Sequence, residues 1–333
     1  MRVIIYGAGA IGGVVGGHLS RVGQNVTFIG RPGHMNAIQQ RGLSLVTPTA
    51  TYTLRVPVVT APRQIDFGPG DVVFLCMKGQ GTEEALRELQ AVVEDVPIFC
   101  FQNGVHNEEV AAGYFPQVYG VKVLVGAVYL TDGEVAAHRD PPGWLIVGRY
   151  PKGVDDRAEA IGTQLRAAGF ITMVTPDVMP YKWGKLLRNL GNSIGAITDS
   201  TGDDVAVIGR AARQEAREVL SQAGIHWISD KDLAQEWPDS TSKPRSSLPA
   251  GARNSTWQSL ARRQGTVEAD YLNGEIVRLA RGLGREAPIN EGLLRISHQM
   301  AADREPPGKY SAAQLSVLLG LEQPHTLESN ATG

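Results

Sequence analysis

The sequence has few cysteines, no long hydrophobic run and no excess of one charge, and each of these absences excludes a class of protein. Cys76 and Cys100 are its two cysteines, too few for a disulfide scaffold, and their apolar surroundings predict buried, reduced thiols. Lys and Arg total 32 against 34 Asp and Glu, which argues against a nucleic-acid binder. No apolar run approaches the roughly 18 residues of a transmembrane helix, and the seven His show no zinc-ligand spacing.

The first residues, 1–6, enter directly into a strand-like run without the features of a signal peptide. We therefore expect a cytoplasmic protein that binds no metal, no nucleic acid and no membrane.

The chain of 333 residues, 42% hydrophobic and 20% charged, is long enough for about two globular domains. Predicted strands and helices alternate as far as Pro176, and after it the pattern is helical. This predicts an α/β fold in which an N-terminal Rossmann-type, doubly wound sheet (1–176) is followed by an all-helical C-terminal domain (177–333). The polar stretch 237–249 is predicted to be an exposed loop. The helices predicted in the second half are 179–198, 203–223, 255–263, 266–284 and 289–302.

A glycine-rich turn follows the first predicted strand. It reads Gly7-Ala8-Gly9-Ala10-Ile11-Gly12, a G-x-G-x-x-G motif between a strand and a helix. In this context the first glycine permits a tight turn, the second lets the backbone approach a pyrophosphate, and the third lets helix and strand pack closely. The free N–H groups of the helix N-terminus favour phosphate binding. Gly13, Gly16 and Gly17 disfavour a helix, so we interpret them as sites of close approach to the sheet or the cofactor.

The residue after the second predicted strand indicates which dinucleotide is bound. NAD-binding folds usually place an acid there to bind the ribose hydroxyls, but this strand ends in Phe28-Ile29-Gly30-Arg31. A guanidinium can pair with the 2′-phosphate of NADPH, which a carboxylate would repel. We therefore interpret Arg31 as a selector for NADPH, the alternative being a solvated surface residue. His34 is a weaker candidate for the same phosphate.

One predicted helix carries a polar stripe beside an apolar face. At about 100° per residue, Lys185, Asn189 and Asn192 fall within a narrow sector, with Ser193 at its edge. A solvated helix face normally mixes Lys with Glu, whereas a single cation among amides suits a pocket for an anionic or carbonyl substrate. Taken alone, the stripe leaves the two interpretations equally balanced.

Four further segments are candidates with ordinary alternatives. Lys78 and Asn103 follow buried strands, where the ligand crevice of a doubly wound fold opens. Glu268 is predicted in the first turn of a helix, where an acid also complements the helix dipole. The segment Asn254-Ser255-Thr256 precedes another helix, where an N-cap is the simpler interpretation.

Taken together, the motifs resemble those of the ketopantoate reductase (2-dehydropantoate 2-reductase) family, within the larger group of enzymes similar to 6-phosphogluconate dehydrogenase. The resemblance extends over about residues 2–302, and its specificity comes from the order and spacing of five motifs. These are the glycine-rich turn, Lys78, Gln102-Asn103-Gly104, Trp183-Gly184-Lys185-Leu186 with Asn189, and Glu268-Ala269-Asp270-Tyr271-Leu272-Asn273-Gly274.

The resemblance implies a role for each matching residue. Lys185 would be the general acid, with Glu268 close to it and to the substrate hydroxyl, and Asn189 would bind substrate. Lys78 and Asn103 would lie by the nicotinamide and the substrate.

The remaining implied roles concern the substrate carboxylate and the cofactor phosphate. The segment Asn254-Ser255-Thr256 would hold the carboxylate, and Arg31 would bind the phosphate. The predicted cofactor-binding residues are therefore Gly7, Ala8, Gly9, Ala10, Ile11, Gly12, Arg31, Lys78 and Asn103.

The sequence departs from the family pattern at three places. The second helix asparagine falls on Ser193, which we expect to bind substrate in its place, with Asn192 displaced by one residue. Ser259 stands where the family has an aspartate, and the spacing from this segment to Glu268 is one residue longer than in the family, which leaves Ser255 or Thr256 as the carboxylate ligand. The loop 237–249 resembles an insertion. These departures concern the substrate more than the chemistry.

The resemblance implies NADPH-dependent reduction of a 2-oxo acid to a 2-hydroxy acid, with ketopantoate and the pantothenate pathway as the first expectation. Alternatives are an opine-type or other 2-oxo-acid dehydrogenase on the same scaffold, and a non-catalytic NADPH-binding regulator. The expected partner is a small 2-oxo acid, and the sequence leaves open whether the chain forms a homodimer.

Overall fold

The computed structural model describes residues 1–241, 245–246, 254–263 and 265–321. Its strands are β1 (Arg2–Tyr6), β2 (Asn25–Ile29), β3 (Leu43–Val46), β4 (Thr51–Leu54), β5 (Val58–Val59), β6 (Asp71–Leu75), β7 (Ile98–Cys100), β8 (Val118–Val125), β9 (Ala127–Thr131), β10 (Glu134–Ala137), β11 (Arg139–Asp140), β12 (Gly143–Arg149), β13 (Ile171–Val174) and β14 (Arg245–Ser246). Its helices are α1 (Ala10–Arg21), α2 (Pro32–Arg41), α3 (Thr82–Gln90), α4 (Asn107–Ala112), α5 (Asp156–Ala167), α6 (Met179–Asn189), α7 (Gly191–Thr198), α8 (Ala206–Gln222), α9 (Asp230–Glu236), α10 (Ser255–Ala261), α11 (Asn273–Gly282), α12 (Pro288–Ala302) and α13 (Ala312–Leu318). Part of the predicted loop 237–249 lies outside the described residues.

The described residues form two compact units. The first comprises those of Met1–Leu186 and His226–Ala252, and the second those of Leu187–Ile225 and Arg253–Gly333. Most of α6 thus belongs to the first unit, to which the chain returns after α8. The domain boundary at Pro176 stays a prediction.

The first unit is built on an eight-stranded sheet in the order β13-β12-β8-β7-β6-β1-β2-β5. Apart from the antiparallel pair β8–β12, neighbouring strands are parallel. The chain moves from β1 to β2 on one side and then to β6 on the other, so a topological switch point lies at β1 and β6. This order, with the helical region after it, confirms the predicted α/β fold.

Both faces of this sheet are covered, as its uninterrupted apolar strands require. In β1 the side chains of Val3 and Ile5 join a core that includes α1 and α5, while Ile4 faces the opposite core, which includes α3 and α4. A second sheet, in the order β4-β3-β10-β9, contributes Leu45 and Val135 to the core around α1. Helix α1 is therefore packed between two sheets.

The glycines of α1 make this packing possible. A Cβ on Gly16 would lie 2.5 Å from the Phe28 ring, and one on Gly13 would lie 2.6 Å from Val135. Gly17 is less crowded, at 3.3 Å from Leu45. These glycines are sites of close approach to the two sheets. The sequence alone had left open whether they approach the sheet or the cofactor.

The second unit is helical. Helices α7, α8, α10 and α12 surround a common apolar core. Val267 and Ala269, from the segment before α11, also pack in this core. Its largest contributors include Ile194, Ile197, Ile208, Leu260, Leu293, Ile296 and Met300. None of the helices in the described part of the chain combines the length and apolarity needed to cross a membrane.

Two helices differ by several residues from their predicted bounds, and Asn273 is involved in both differences. The helix predicted at 179–198 is interrupted at Leu190, and the helix predicted at 266–284 begins only at Asn273. The fully buried side chain of Asn273 donates to the carbonyl of Leu190 and accepts from the hydroxyl of Ser193. This contact gives the carbonyl at the break a hydrogen-bond donor. Hydrophobic periodicity does not predict it, because the two segments are far apart in the sequence. Leu283 follows the end of α11 and is 40% exposed.

A buried histidine in α1 makes the stability of the fold depend on pH. His18 is 4% exposed, and burial, aided by the charge of Arg21, lowers its pKa to about 4. Between this value and the ordinary 6.5, the unfolded chain binds more protons than the folded one, so stability falls as the pH falls. At pH 5 this group should lower the free energy of unfolding by about 2 kcal/mol relative to pH 7.5.

We expect the substitution His18→Leu to remove this pH-dependent loss. Urea unfolding of both proteins at pH 5 and pH 7.5 measures it, and the loss in free energy between the two pH values should be about 2 kcal/mol smaller in the variant. An equal loss in both proteins would contradict the assignment.

Candidate active site

The carboxyl ends of three adjacent parallel strands bring together the first set of predicted residues. The glycine-rich turn follows β1, Lys78 lies just after β6, and Asn103 just after β7. Because β1, β6 and β7 are neighbours, these segments share one edge of the sheet, at its switch point. Ligands of doubly wound folds bind at this place.

The glycine-rich turn is shaped by steric limits at two of its glycines. Gly7 has φ = 101°, and a Cβ there would lie 2.5 Å from the backbone nitrogen of Met77. A Cβ on Gly12 would lie 2.2 Å from the carbonyl oxygen of Gly7. Both positions therefore require glycine for the fold itself.

Gly9 differs, because a Cβ there would have no atom within 4 Å. It immediately precedes α1, whose first turn holds no acidic residue. The first N–H groups of a helix lack partners within the helix and carry a partial positive charge. An open backbone surface beside such N–H groups fits the pyrophosphate of a dinucleotide.

The end of β2 has the arrangement that the sequence predicts. The strand ends at Ile29, and Arg31, which is exposed, immediately precedes α2. His34, the weaker phosphate candidate, is instead buried: its Nδ1 accepts a hydrogen bond from the Gly133 amide at 2.8 Å. Burial lowers the pKa of His34. A neutral, buried imidazole is poorly suited to bind phosphate, so its role here is structural.

Lys185 lies on α6, and its ammonium group meets the same sheet edge. Its Nζ donates to Oδ1 of Asn103 at 2.7 Å and also to the carbonyl oxygen of Val123 in β8. Both of these acceptors are neutral, and Lys185 is half-buried. Two residues that are 82 positions apart in the sequence thus meet.

A glycine next to Lys185 allows this helix to approach its neighbour. A Cβ on Gly184 would lie 1.8 Å from the carbonyl oxygen of Ile228, whose own amide donates to the carbonyl of Pro180. The segment before α9 therefore packs directly on the α6 backbone. Glycine is required here for packing, which helps to fix the helix that carries Lys185.

The other predicted side chains, Asn189, Ser193 and Glu268, belong to the second unit. Asn189 follows Lys185 by one helical turn and is half-buried. Glu268 is 8% exposed and precedes a 3₁₀ turn, Ala269–Tyr271, instead of lying inside a helix. Ser193 is fully buried and donates to Asn273.

The segment before α10 has the capping role that its position predicts. Oδ1 of Asn254 accepts from the amide of Trp257, and its Nδ2 donates to the carbonyl of Asn192. Ser255 is half-buried, and Thr256 is buried with a hydroxyl that has no hydrogen-bond partner among the described residues. The substrate-binding roles of these residues stay predictions.

Comparison with known proteins identifies the family. The family model described as "Ketopantoate reductase PanE/ApbA" matches residues 3–152, and that described as "Ketopantoate reductase PanE/ApbA C terminal" matches residues 177–301. The chain belongs to the ketopantoate reductase family. It is an oxidoreductase of a family that depends on pyridine nucleotides.

Individual relatives agree with this assignment. A 2-dehydropantoate 2-reductase of Pyrococcus horikoshii is 32% identical over 298 residues, which cover 87% of this chain and 94% of the relative. The crystal structure of a PanE/ApbA family ketopantoate reductase from Ralstonia eutropha is similar with a TM-score of 0.78 at 27% identity, covering 91% of this chain and 99% of that one.

D-mandelate dehydrogenase, solved with NADH and anilino(oxo)acetate, has the same fold. Its TM-score is 0.79 at 20% identity, covering 91% of this chain and 99% of that one.

A buried ion pair next to the turn that carries Asn103 was missed by the sequence analysis. Lys182 on α6 and Glu108 on α4 contact each other with side chains that are 2% and 0% exposed. Burial raises the pKa of Glu108, and the attraction of Lys182 opposes this effect. One signal was available: Lys182 precedes Leu186 by one helical turn, beside the apolar face, where a cation requires a partner.

The two glycines of the turn should respond differently to substitution. We expect Gly9→Ala to fold as the wild type does but to weaken dinucleotide binding about tenfold or more, because a methyl group would occupy the open backbone surface. We expect the matched control, Gly12→Ala, to lower the free energy of unfolding by about 1–3 kcal/mol through its clash with Gly7.

Fluorescence titration with NADPH and urea unfolding measure the two effects. If Gly9→Ala binds the dinucleotide with wild-type affinity, this turn is not part of the cofactor site.

Proposed function

We propose that this protein reduces a 2-oxo acid to the corresponding 2-hydroxy acid with NADPH, and that its substrate is 2-dehydropantoate, reduced to pantoate in pantothenate biosynthesis. The observation that carries the proposal is the hydrogen bond from Lys185 Nζ to Asn103 Oδ1 at 2.7 Å. It supports the proposal because the Lys185 ammonium group lies at the sheet edge that also holds the glycine-rich turn, where the nicotinamide ring and a ketone would meet.

The relatives support the reaction. The protein of Pyrococcus horikoshii is a 2-dehydropantoate 2-reductase by name, and its similarity extends over both parts of the chain. The first unit retains Lys78, Asn103 and Lys185 at the positions that the family motifs predict. Retention of a positioned lysine favours an enzyme over a regulator that only binds the dinucleotide.

The proposed mechanism assigns a proton and a charge to Lys185. When bound, NADPH supplies a hydride to the carbonyl carbon, and negative charge then develops on the carbonyl oxygen. Lys185 Nζ stabilises that charge and donates the proton that completes the hydroxyl group. Asn103 accepts from the same ammonium and so fixes the direction from which the proton comes.

Other residues would bind and orient the reactants. Gly9 and the N-terminus of α1 would hold the pyrophosphate. Lys78 would lie beside the substrate, and Glu268 would orient the lysine or the new hydroxyl group. The carboxylate of the substrate would bind Ser255 or Thr256, with Asn189 as a further ligand.

Arg31 supports the choice of NADPH. It is exposed at the end of β2, where an NAD-binding fold would carry an acid, and a guanidinium there can bind the 2′-phosphate. The fold does not fix this choice, since D-mandelate dehydrogenase was solved with NADH.

A screen of 2-oxo acids, with and without amines, tests the proposal by following NADPH absorbance. Oxidation of NADPH by 2-dehydropantoate at the highest kcat/KM is the expected result. Turnover that requires an amine would indicate an opine-type enzyme, and a higher kcat/KM on another ketone would change the substrate. Binding of NADPH without turnover of any 2-oxo acid would indicate a regulator and would overturn the proposal.

The first prediction concerns cofactor choice. We expect Arg31→Ala to weaken NADPH binding by about 1–3 kcal/mol, the value of a charge-assisted hydrogen bond, and to leave NADH binding nearly unchanged. Titration calorimetry with both cofactors measures the difference. Equal losses for NADPH and NADH would show that Arg31 does not bind the 2′-phosphate.

The second prediction concerns the proton donor. We expect Lys185→Ala to lower kcat by at least about 10²-fold while NADPH affinity is nearly unchanged, because a general acid typically contributes 10²–10⁴-fold. Lys185→Met keeps the aliphatic stem without the charge and should be equally impaired. If Lys185 only anchors the carboxylate, KM rises and kcat is preserved. A kcat within threefold of the wild-type value would exclude the role of general acid.

A further inference from the structure

A buried polar network connects the Lys182–Glu108 ion pair to Asn103. Lys182 Nζ lies 3.4 Å from the carbonyl oxygen of Gln102, the residue before Asn103. The carbonyl oxygen of Asn103 itself accepts from Nδ2 of Asn107 at 2.9 Å. The carbonyl oxygens of Gln102 and Asn103, in the turn after β7, therefore both accept hydrogen bonds from side chains.

The rest of the network fixes those side chains. Nε2 of Gln102 donates to the hydroxyl of Thr82 at 2.6 Å, and that hydroxyl donates to Oδ1 of Asn107 at 2.8 Å. Thr82, Gln102, Asn107 and Glu108 are each at most 4% exposed. With its backbone held in this way, Asn103 presents Oδ1 to Lys185.

Lys182 and Lys185 are three residues apart on α6, so they lie on neighbouring positions of one helix face. The first contacts the backbone of the turn, and the second contacts the Asn103 side chain that the turn carries. Helix and turn are thus joined at two points, and Lys182 of the buried ion pair provides one of them.

Stability alone gives a weak reason for such a pair. Removing two charges from water costs free energy that their attraction often fails to recover, and replacement of a buried pair by apolar residues of similar volume is often neutral or stabilising. Lys182 contacts the carbonyl oxygen of Gln102, the residue before Asn103, and lies three residues from Lys185 on α6. This position suggests a different role for the pair.

We propose that Glu108 and Lys182 are positioning residues, which set the placement of Asn103 against Lys185 for proton transfer. The inference rests on the proposed function of Lys185. Neither residue is assigned to contact the substrate or the reacting atoms. Because a displacement of about 1 Å at a reacting group can cost 10²-fold in rate, loss of the pair should lower kcat even if the fold remains intact.

The double variant Glu108→Leu/Lys182→Met tests this role, because it leaves no unpaired buried charge. We expect an unchanged or higher melting temperature, NADPH affinity and KM within threefold of wild type, and a kcat at least tenfold lower. The primary isotope effect with 4-deuterated NADPH should rise or stay at its full value, since the chemical step becomes slower. A folded double variant with kcat within threefold of wild type would overturn the proposal.

A matched control is the ion pair at the opposite edge of the same sheet. Arg2 donates to both carboxylate oxygens of Asp71 at 3.0 and 2.6 Å, at the amino ends of β1 and β6. We expect Arg2→Met/Asp71→Leu to change stability but to keep kcat within twofold. A similar loss of kcat in this control would attribute the effect to general loosening of the sheet and overturn the proposal.

Amide hydrogen exchange of residues 102–107 separates this proposal from the proposed function. Exchange there should be faster in the Glu108/Lys182 variant than in the wild type and the control. If the wild type reduces no 2-oxo acid, the proposed function fails, but unchanged exchange in the variant would still overturn the positioning role, and faster exchange would support it.

If the double variant does not fold, the single substitution Thr82→Val tests the positioning role instead. It removes only the hydroxyl that links Gln102 to Asn107 and keeps the shape of the side chain. A severalfold lower kcat with faster exchange at 102–107 supports the positioning role. Wild-type kcat and exchange would overturn it.

Discussion

The close packing of helix α1 is the constraint on which the first unit depends. The helix lies between two sheets, with Gly16 against the Phe28 ring and Gly13 against Val135, at distances that a Cβ does not permit. Its start is fixed in the same way by the contact of Gly12 with the Gly7 carbonyl. The helix therefore begins close to the sheet edge, where its first N–H groups lack partners within the helix. Among the three glycines of the motif, Gly9 differs because a Cβ there would have no atom within 4 Å.

Buried polar contacts also determine where elements meet, because each joins segments that are far apart in the sequence. Asn273 bonds to the break between α6 and α7, and the Lys182–Glu108 pair joins α6 to the turn after β7. A buried polar group without a partner is costly, so such contacts tolerate few alternative arrangements. They specify where two elements meet more than they add stability, which suits a site that requires fixed distances.

Much of the first unit followed from local patterns. The strand–glycine turn–helix at the start, the buried strands before Lys78 and Asn103, and the position of Arg31 after β2 all depend on residues close together in sequence. Long-range contacts limited the prediction elsewhere. The helix predicted at 266–284 was too long, since the segment Glu268–Leu272 is held in a different conformation when Asn273 reaches Leu190.

The sequence by itself determined the α/β fold class and the dinucleotide-type turn, because these are set by side-chain periodicity and by the steric freedom of glycine. The resemblance to the ketopantoate reductase family came from the order and spacing of five motifs. The tertiary structure alone decided which polar groups meet. It brought Lys185 to Asn103, buried His34 against Gly133 and paired Lys182 with Glu108. Hydrogen bonds and ion pairs of this kind act over about 3 Å, and only the packing of distant elements brings their partners within that distance.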